Sequence, residues 1–197
     1  TRETMQAVAE KLAERKPDPG LEKGDEAPDF ALPNAYGETV RLSGALEDGP
    51  VVLAFYRGAW CPYCNLQLRT YQEALPNFKA YGAQLIAVTP QKPDKSAEQM
   101  KEGELDFQVL SDLDSSAMKA YKLYWEVPRE LHRVYREKLG LDIEEYNGLG
   151  RLVLPVPGTF VIDQSGTIRA AFADTDYKKR MEPKSIVDAL KEIAAEQ

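Results

Sequence analysis

Residues 51–67, VVLAFYRGAWCPYCNLQ, constrain the fold of this chain more than any other stretch. The first six residues are apolar, with β-branched and aromatic side chains, which predicts a buried β-strand. A helical pattern of apolar residues begins directly after the sequence Cys-Pro-Tyr-Cys. Pro62 is expected at the first helical position, where its missing N–H breaks no hydrogen bond.

The chain has only two cysteines, Cys61 and Cys64, and both are predicted at the N-terminal end of this helix. Unpaired N–H groups and the helix dipole lower a thiol pKa there, and Arg57 is expected as a second contributor. This arrangement predicts a reactive dithiol that closes to an intramolecular disulfide on mild oxidation. The alternative is a pair of inert buried cysteines.

Composition argues against several classes of protein. The 197 residues carry a net charge of −7 without a basic cluster, so nucleic acid is not an expected partner. No apolar run approaches the roughly 18 residues needed to cross a bilayer, so no membrane partner is expected. One CxxC and the single histidine, His132, do not complete a zinc site, and neither metal nor other cofactor is expected. Two cysteines at this spacing suit a reducing compartment, and we expect the cytoplasm.

The order of predicted elements indicates the fold class. Residues 1–23 are predicted as an N-terminal helix with a linker, and residues 24–197 as the main domain. A strand at residues 84–89 follows the CxxC helix and completes a βαβ unit with parallel strands. The segments TFVID (159–163) and TIRAAF (167–172) predict a β-hairpin before a last helix. This order predicts a three-layer α/β sandwich around one mixed sheet.

A helical insertion is expected near residues 125–150. Its apolar face is marked by four residues, Leu131, Val134, Tyr135 and Leu139. His132 lies off that stripe, so we expect a solvated helix position for it, and residues 141–150 are predicted as a loop. The N-terminal helix and this insertion either shape the active-site pocket or form a dimer surface, and the second alternative predicts a homodimer.

Several motifs give the chain a resemblance to the AhpC/TSA peroxiredoxins over roughly residues 24–172. They are APDF from Ala27, FY before the cysteines, and FVID-x-x-G from Phe160. The tail at 174–183, DTDYKKRMEP, is similar to that of a bacterial peroxiredoxin-like subgroup with CxxC. The resemblance implies the thioredoxin fold and an antioxidant, thiol-dependent reduction of hydroperoxides. It places Cys64 at the position of the peroxidatic cysteine and Gln67 at a polar position three residues later.

The active-site sequence departs from the peroxiredoxin pattern. That family carries a Pro-x₃-Thr-x₂-Cys loop, whose Pro and Thr positions fall on Arg57 and Cys61. Pro157 stands where the family has an arginine before the hairpin strand. Because threonine and arginine orient the peroxide and stabilise charge in its transition state, these departures favour a second activity.

That second activity is suggested by similarity to another branch of the same fold. Trp60-Cys61-x-x-Cys64 is similar to the thioredoxin motif, and Cys-Pro-Tyr-Cys is the glutaredoxin tetrapeptide. Pro157 matches the cis-proline that faces the dithiol in that branch, so we expect a cis Val156–Pro157 peptide. Cys61 would then attack a disulfide, Cys64 would resolve the mixed disulfide, and the Val156 backbone would pair with the substrate.

Three functions therefore stay open. A hydroperoxide reductase would oxidise Cys64 to sulfenic acid and condense it with Cys61. A thiol–disulfide oxidoreductase would use the same pair on disulfides, whereas in a redox-regulated binding module the disulfide only switches a surface. Both enzymes imply a thioredoxin- or glutaredoxin-type electron donor. The expected substrate-site residues are Arg57, Trp60, Gln67, Val156 and Pro157.

Overall fold

Helices and strands alternate along most of the chain. The structure is a computed structural model that describes residues 2–15 and 18–196. The helices of this part are α1 (Arg2–Arg15), α2 (Leu42–Asp48), α3 (Pro62–Lys79), α4 (Pro93–Gly103), α5 (Ser116–Ala120), α6 (Arg129–Leu139), α7 (Ile143–Asn147) and α8 (Pro183–Ala195). The strands are β1 (Ala31–Pro33), β2 (Thr39–Arg41), β3 (Val51–Phe55), β4 (Gln84–Thr89), β5 (Gln108–Ser111), β6 (Tyr124–Glu126), β7 (Val153–Pro155), β8 (Gly158–Ile162) and β9 (Ile168–Ala173).

Strand β3 lies in the middle of a five-stranded sheet with the order β5-β4-β3-β8-β9. The strands β3, β4 and β5 run parallel, whereas β8 is antiparallel to β3 and β9 is antiparallel to β8. Phe55, the last residue of β3, faces Gly158, the first residue of β8. The segment before β8 therefore reaches the edge of the sheet at which the cysteine helix begins.

All five residues of β3 are buried, and their side chains point alternately to the two faces of the sheet. Val52 and Ala54 belong to a core cluster with residues of α3 and α8. Leu53 and Phe55 belong to a second cluster with residues of α2 and α5. Helices thus cover both faces of the mixed sheet, which confirms the predicted three-layer, thioredoxin-like α/β sandwich.

Most predicted elements agree with the structure. The strands predicted at 51–56, 84–89, 159–163 and 167–172 match β3, β4, β8 and β9 to within one residue at each end. The predicted N-terminal helix is confirmed for residues 2–15. Thr1 and the start of the predicted linker, Lys16 and Pro17, lie outside the described residues, and the domain boundary after residue 23 stays a prediction.

The region around the insertion differs from the prediction. Trp125 lies in β6, which pairs with β7, and helix α6 begins only at Arg129. The loop predicted for residues 141–150 is wrong in part, since α7 occupies five of these positions. The cause is local: the Asp142 carboxylate accepts the Glu144 N–H at 3.0 Å and caps the short helix. No helix in the described part of the chain has the length and apolar character that crossing a bilayer requires.

Gly49 lets the chain enter the central strand. It has a φ of 154°, and a Cβ at this position would overlap the carbonyl oxygen of Gly82. We expect Gly49→Ala to lower the free energy of unfolding by about 2 kcal/mol or more, because the clashing neighbour is backbone. Gly44→Ala is the control, since its new Cβ would meet only Arg41 Cβ, at 3.9 Å. Urea denaturation measures both changes, and equal effects would contradict this account of Gly49.

Candidate active site

The two cysteines lie at the start of α3, as predicted. Cys61 is the N-cap residue, Pro62 is the first helical residue, and Cys64 lies in the first turn. Both residues are free thiols, and they are 1% and 0% exposed. Their Sγ atoms lie 2.8 Å apart, within hydrogen-bond contact. The disulfide expected on oxidation stays a prediction.

Two arginines from distant parts of the chain lie near this pair. Arg180 precedes α8, and its Nη2 lies 3.5 Å from Cys64 Sγ. Arg57 directly follows the strand segment 51–56 and is 6% exposed. Its guanidinium carbon lies 4.7 Å from the ring centre of Trp60 and 4.5 Å from that of Tyr177. The buried sulfurs are therefore enclosed by cationic and aromatic groups.

This environment separates the pKa values of the two thiols. Burial opposes ionisation of Cys64, but the hydrogen bond from Cys61 and the charges of Arg180 and Arg57 lower the pKa of Cys64 to about 6. The same hydrogen bond, together with burial and the charge on Cys64, raises the pKa of Cys61. At neutral pH the pair thus holds one proton, with the thiolate on Cys64 and the thiol on Cys61.

Arg180 is a residue beside the cysteines that the sequence patterns do not predict. The predicted lowering of one thiol pKa is confirmed for Cys64. The predicted causes, the helix N-terminus first and Arg57 second, are not its main ones, because the hydrogen bond from Cys61 and the charge of Arg180 lower the pKa of Cys64 more than Arg57 does. Arg180 contacts a sulfur 116 positions away. No periodic pattern links two such distant residues. The tail at 174–183, which contains Arg180, indicates only the resemblance to a family.

Gln67 connects Arg180 to the core below the site. Its Oε1 accepts from Arg180 Nε at 2.8 Å, while its Nε2 donates to the hydroxyls of Tyr71 and Thr159 at 3.2 and 3.3 Å. The Tyr71 hydroxyl in turn donates to the Met181 carbonyl at 2.7 Å. The guanidinium beside Cys64 is therefore held from one side by α3 itself.

A ring of side-chain amides holds the turn before Cys61. Gln91 Oε1 accepts the Ala59 N–H at 2.9 Å, and Asn65 Nδ2 donates to the Ala59 carbonyl at 2.6 Å. Gln99 closes the ring, because its Nε2 donates to Asn65 at 2.7 Å and its Oε1 accepts from Gln91 at 2.9 Å. Both backbone groups of Ala59 are thus paired, which fixes the approach to the cysteine helix.

A cavity of about 530 Å³ opens beside the site. Five of the residues predicted for the site contribute to its lining: Arg57, Trp60, Cys61, Val156 and Pro157. The other two predicted site residues, Cys64 and Gln67, are described in the structure but do not line this cavity. A molecule in the cavity therefore meets Cys61 first, and reaches the Cys64 sulfur only if the side chains that cover it move.

The cis peptide predicted at Val156–Pro157 is wrong. The described residues contain no cis peptide bond. The Val156 N–H donates to the Leu123 carbonyl at 2.7 Å, directly after the pairing of β7 with β6. The chain's own β-ribbon thus holds this segment, and the Val156 N–H is not free to pair with a substrate.

The solvated position predicted for His132 is also wrong. His132 is 6% exposed, and its Nε2 lies 3.1 Å from Asp142 Oδ1, because α7 folds back against α6. His132, Asp142 and Glu144 bring three donor atoms within 4.8 Å of one another. Asp142 already accepts the Glu144 N–H, and Glu144 accepts the Gly150 N–H at 2.6 Å. Hydrogen bonds thus hold these three side chains between α6, α7 and the loop at Gly150.

A comparison with known families agrees with this geometry. Residues 23–171 match the model of the AhpC/TSA family. The chain belongs to the AhpC/TSA family. It is 29% identical over 151 residues to a putative peroxiredoxin from Mycobacterium tuberculosis. This alignment covers 77% of the chain and 84% of the relative.

Two further comparisons extend this result. The chain is 28% identical over 160 residues to the thiol-disulfide oxidoreductase ResA from Geobacillus kaustophilus, which covers 81% of this chain and 74% of the relative. The crystal structure of the peroxidoxin BcpB from Mycobacterium tuberculosis matches with a TM-score of 0.69 at 23% identity. That match covers 88% of this chain and 98% of the other, and it shows the shared fold.

The charge of Arg180 should control the ionisation of Cys64. We expect Arg180→Gln to raise the pKa of Cys64 from about 6 to about 7, since a cation this close favours the thiolate. The ultraviolet absorbance of the thiolate, titrated against pH, measures this change. Lys178→Gln is the control, because it removes the same charge two residues away on the exposed surface. Equal midpoints in both variants would show that Arg180 does not act on the sulfur.

Proposed function

We propose that this member of the AhpC/TSA family reduces hydroperoxides, with Cys64 as the nucleophile and Cys61 as the resolving cysteine. The observation that carries the proposal is the surroundings of Cys64 Sγ, which lies 3.5 Å from Arg180 Nη2 and 2.8 Å from Cys61 Sγ. Burial alone would suppress a charge on Cys64, yet Cys61, Arg180 and Arg57 lower its pKa to about 6. The cationic groups thus act on the cysteine that the family resemblance places at the peroxidatic position.

The first step is a two-electron oxidation of Cys64. Its thiolate attacks the terminal oxygen of ROOH, so that an S–O bond forms while the O–O bond breaks. The leaving alkoxide takes up a proton and departs as the alcohol, and Cys64 becomes a sulfenic acid. Arg57 and Arg180 lie where negative charge moves from sulfur to oxygen, and fixed cations lower the energy of such a transition state.

The second step forms a disulfide. The Cys61 sulfur attacks the sulfur of the sulfenic acid, the S–S bond forms, and the S–O bond breaks with loss of water. The 2.8 Å between the two Sγ atoms supports this step, because the attacking sulfur is already in contact with its target. A thioredoxin- or glutaredoxin-type dithiol then reduces the disulfide, starting at Cys61, which lines the cavity.

Two residues of this chain would take over the roles of the missing threonine and arginine of the family. Cys61 stands at the threonine position and donates a hydrogen bond to the Cys64 thiolate, as a hydroxyl would. Arg180 brings a guanidinium within 3.5 Å of the sulfur from the tail of the chain, while Pro157 occupies the usual arginine position. With Cys61 and Arg180 in these roles, the absence of the family's threonine and arginine no longer argues against peroxidase chemistry.

A thiol–disulfide oxidoreductase is the second candidate, because Cys61 rather than Cys64 lines the cavity. In that mechanism Cys61 must be the attacking thiolate, but its pKa is raised by the hydrogen bond to Cys64 and by burial. The Val156 N–H, expected to bind an extended substrate, is paired with Leu123. Both observations favour the peroxidase.

The surroundings of the site have further roles in this proposal. Trp60, Val156 and Pro157 form walls of the substrate cavity, and Gln67 positions Arg180. Helices α1 and α6 both contribute to the same cavity, which favours a pocket-forming role for them over a dimer surface. We place the protein in the cytoplasm, since a dithiol cycle needs a reducing thiol pool.

Stopped-flow oxidation of the reduced protein by H₂O₂ and tert-butyl hydroperoxide tests the proposal. At least one of these hydroperoxides should react with the protein roughly 100-fold faster than with a free thiol, because the arginines stabilise the charge in the transition state. The rate constant should rise as pH increases through about 6 and then level off, because Cys64 is protonated below this pKa and ionised above it. Cys64→Ser, the control, should lose this reaction. Free-thiol rates together with rapid reduction of insulin would identify the disulfide enzyme instead.

A further inference from the structure

Three side-chain amides hold the two ends of the segment 59–65, which carries both cysteines. Ala59 and Asn65 are the ends of this segment, and Asn65 Nδ2 donates to the Ala59 carbonyl at 2.6 Å. Gln91 Oε1 accepts the Ala59 N–H at 2.9 Å. Gln99 joins the other two amides, at 2.9 Å from Gln91 and 2.7 Å from Asn65. The ends of the segment are therefore tied to each other and to the same pair of glutamines.

This amide network is buried and fully hydrogen-bonded. Gln91 and Gln99 are 0% and 7% exposed, and every amide oxygen and nitrogen of the three side chains has a partner. The Tyr56 hydroxyl adds a link, because it donates to Gln99 Oε1 at 2.6 Å and accepts from Gln91 Nε2 at 3.2 Å. Buried amides are stable only when they are paired, so a satisfied network specifies one geometry. The geometry specified here is that of the segment 59–65.

The network acts on the backbone on either side of the two sulfurs. Ala59 precedes Cys61 by two residues, and Asn65 directly follows Cys64. Within the segment, the Cys61 N–H donates to the Gly58 carbonyl at 3.1 Å, and the Asn65 N–H donates to the Cys61 carbonyl at 3.0 Å. The contact of 2.8 Å between the two Sγ atoms depends on this backbone.

The sulfenic acid of Cys64 has two competing fates. In the first, the Cys61 sulfur attacks it, the S–S bond forms, and the oxygen leaves as water. In the second, the Cys64 sulfur attacks the terminal oxygen of another ROOH, a second S–O bond forms, and the O–O bond breaks. The alkoxide takes up a proton and leaves as ROH, and the product is a sulfinic acid, which a dithiol does not reduce. Misplacing reacting groups by roughly 1 Å can cost about 100-fold in rate, so the position of Cys61 decides between these fates.

We infer that Gln91, Gln99 and Asn65 are positioning residues for disulfide closure. They hold the ends of the segment 59–65 together, so that Cys61 attacks the sulfenic acid before a second hydroperoxide does. The inference rests on the proposed peroxidase function and adds a protection against overoxidation. The amides act through the backbone of Ala59 and the start of α3, and they take no part in the bond changes themselves.

Diamide measures disulfide closure without a peroxide. One thiolate adds to its N=N bond, and the other sulfur then attacks the first. The S–S bond forms, the S–N bond breaks, and the resulting hydrazine takes up the proton. At saturating diamide the second step limits the rate, and mass spectrometry of acid-quenched samples separates the adduct from the disulfide. Asn65→Ala and Gln91→Met, which each remove a hydrogen bond to Ala59, should lower this closure rate constant roughly tenfold.

Asn34→Ala is the matched control, because Asn34 is a 2% exposed amide whose Nδ2 donates to Glu38 and Gln108 at the turn between β1 and β2. Its closure rate constant should equal that of the unmodified protein, and urea denaturation gives the stability lost in each variant. Asn65 is only half-buried, so Asn65→Ala decides the test where Gln91→Met does not fold. Unchanged closure in Asn65→Ala, or equal slowing in Asn34→Ala, would overturn the inference.

Repeated turnover with H₂O₂ and dithiothreitol then tests the protection against overoxidation. The sulfinic acid formed per turnover, measured by mass spectrometry, should rise roughly tenfold in Asn65→Ala and stay unchanged in Asn34→Ala. Slower closure without this rise would overturn the protective role. Free-thiol rates of oxidation in the unmodified protein would overturn the proposed peroxidase function instead, and the diamide experiment would still decide whether the amides position the cysteines.

Discussion

The chemistry of this site depends on one proton held between two buried sulfurs. Cys61 and Cys64 lie 2.8 Å apart, and ionisation of one thiol is stabilised by the hydrogen bond that the other donates. Because Arg180 lies beside Cys64, the negative charge is stabilised on Cys64, the second cysteine of the CxxC sequence. A buried anion without such partners would protonate, so the hydrogen bond from residue 61 and the two arginines each favour the thiolate.

The fold supplies those positions from separate parts of the chain. Strand β3 carries the chain to Arg57 at one end of the sheet, and the amides of Gln91 and Asn65 fix both backbone groups of Ala59. After β9 the chain returns across the site before α8, which brings Arg180 to the sulfur and to Gln67. The local helix start arranges the two thiols, but the choice between them depends on this long-range contact.

This division explains what the sequence could predict. The strand β3, the start of α3 at Pro62 and the N-cap position of Cys61 follow from local patterns, and all three are confirmed. His132 is buried because α7 packs back against α6, so the predicted solvated position is wrong. The Val156 N–H is occupied because its segment pairs beside β6, so the predicted free N–H is wrong as well. Arg180 depends on the packing of the whole tail, which periodicity does not reveal.

If Cys64 is the nucleophile, a hydroperoxide oxidises its sulfur before that of Cys61. Reduced Cys61→Ser and Cys64→Ser proteins are treated with a substoichiometric amount of cumene hydroperoxide in the presence of dimedone, which traps sulfenic acids. Mass spectrometry then locates the adduct. We expect rapid labelling of Cys64 in the Cys61→Ser protein and little labelling of Cys61 in the Cys64→Ser protein. Labelling of Cys61 alone would contradict this expectation, because the attacking thiolate would then be the first cysteine.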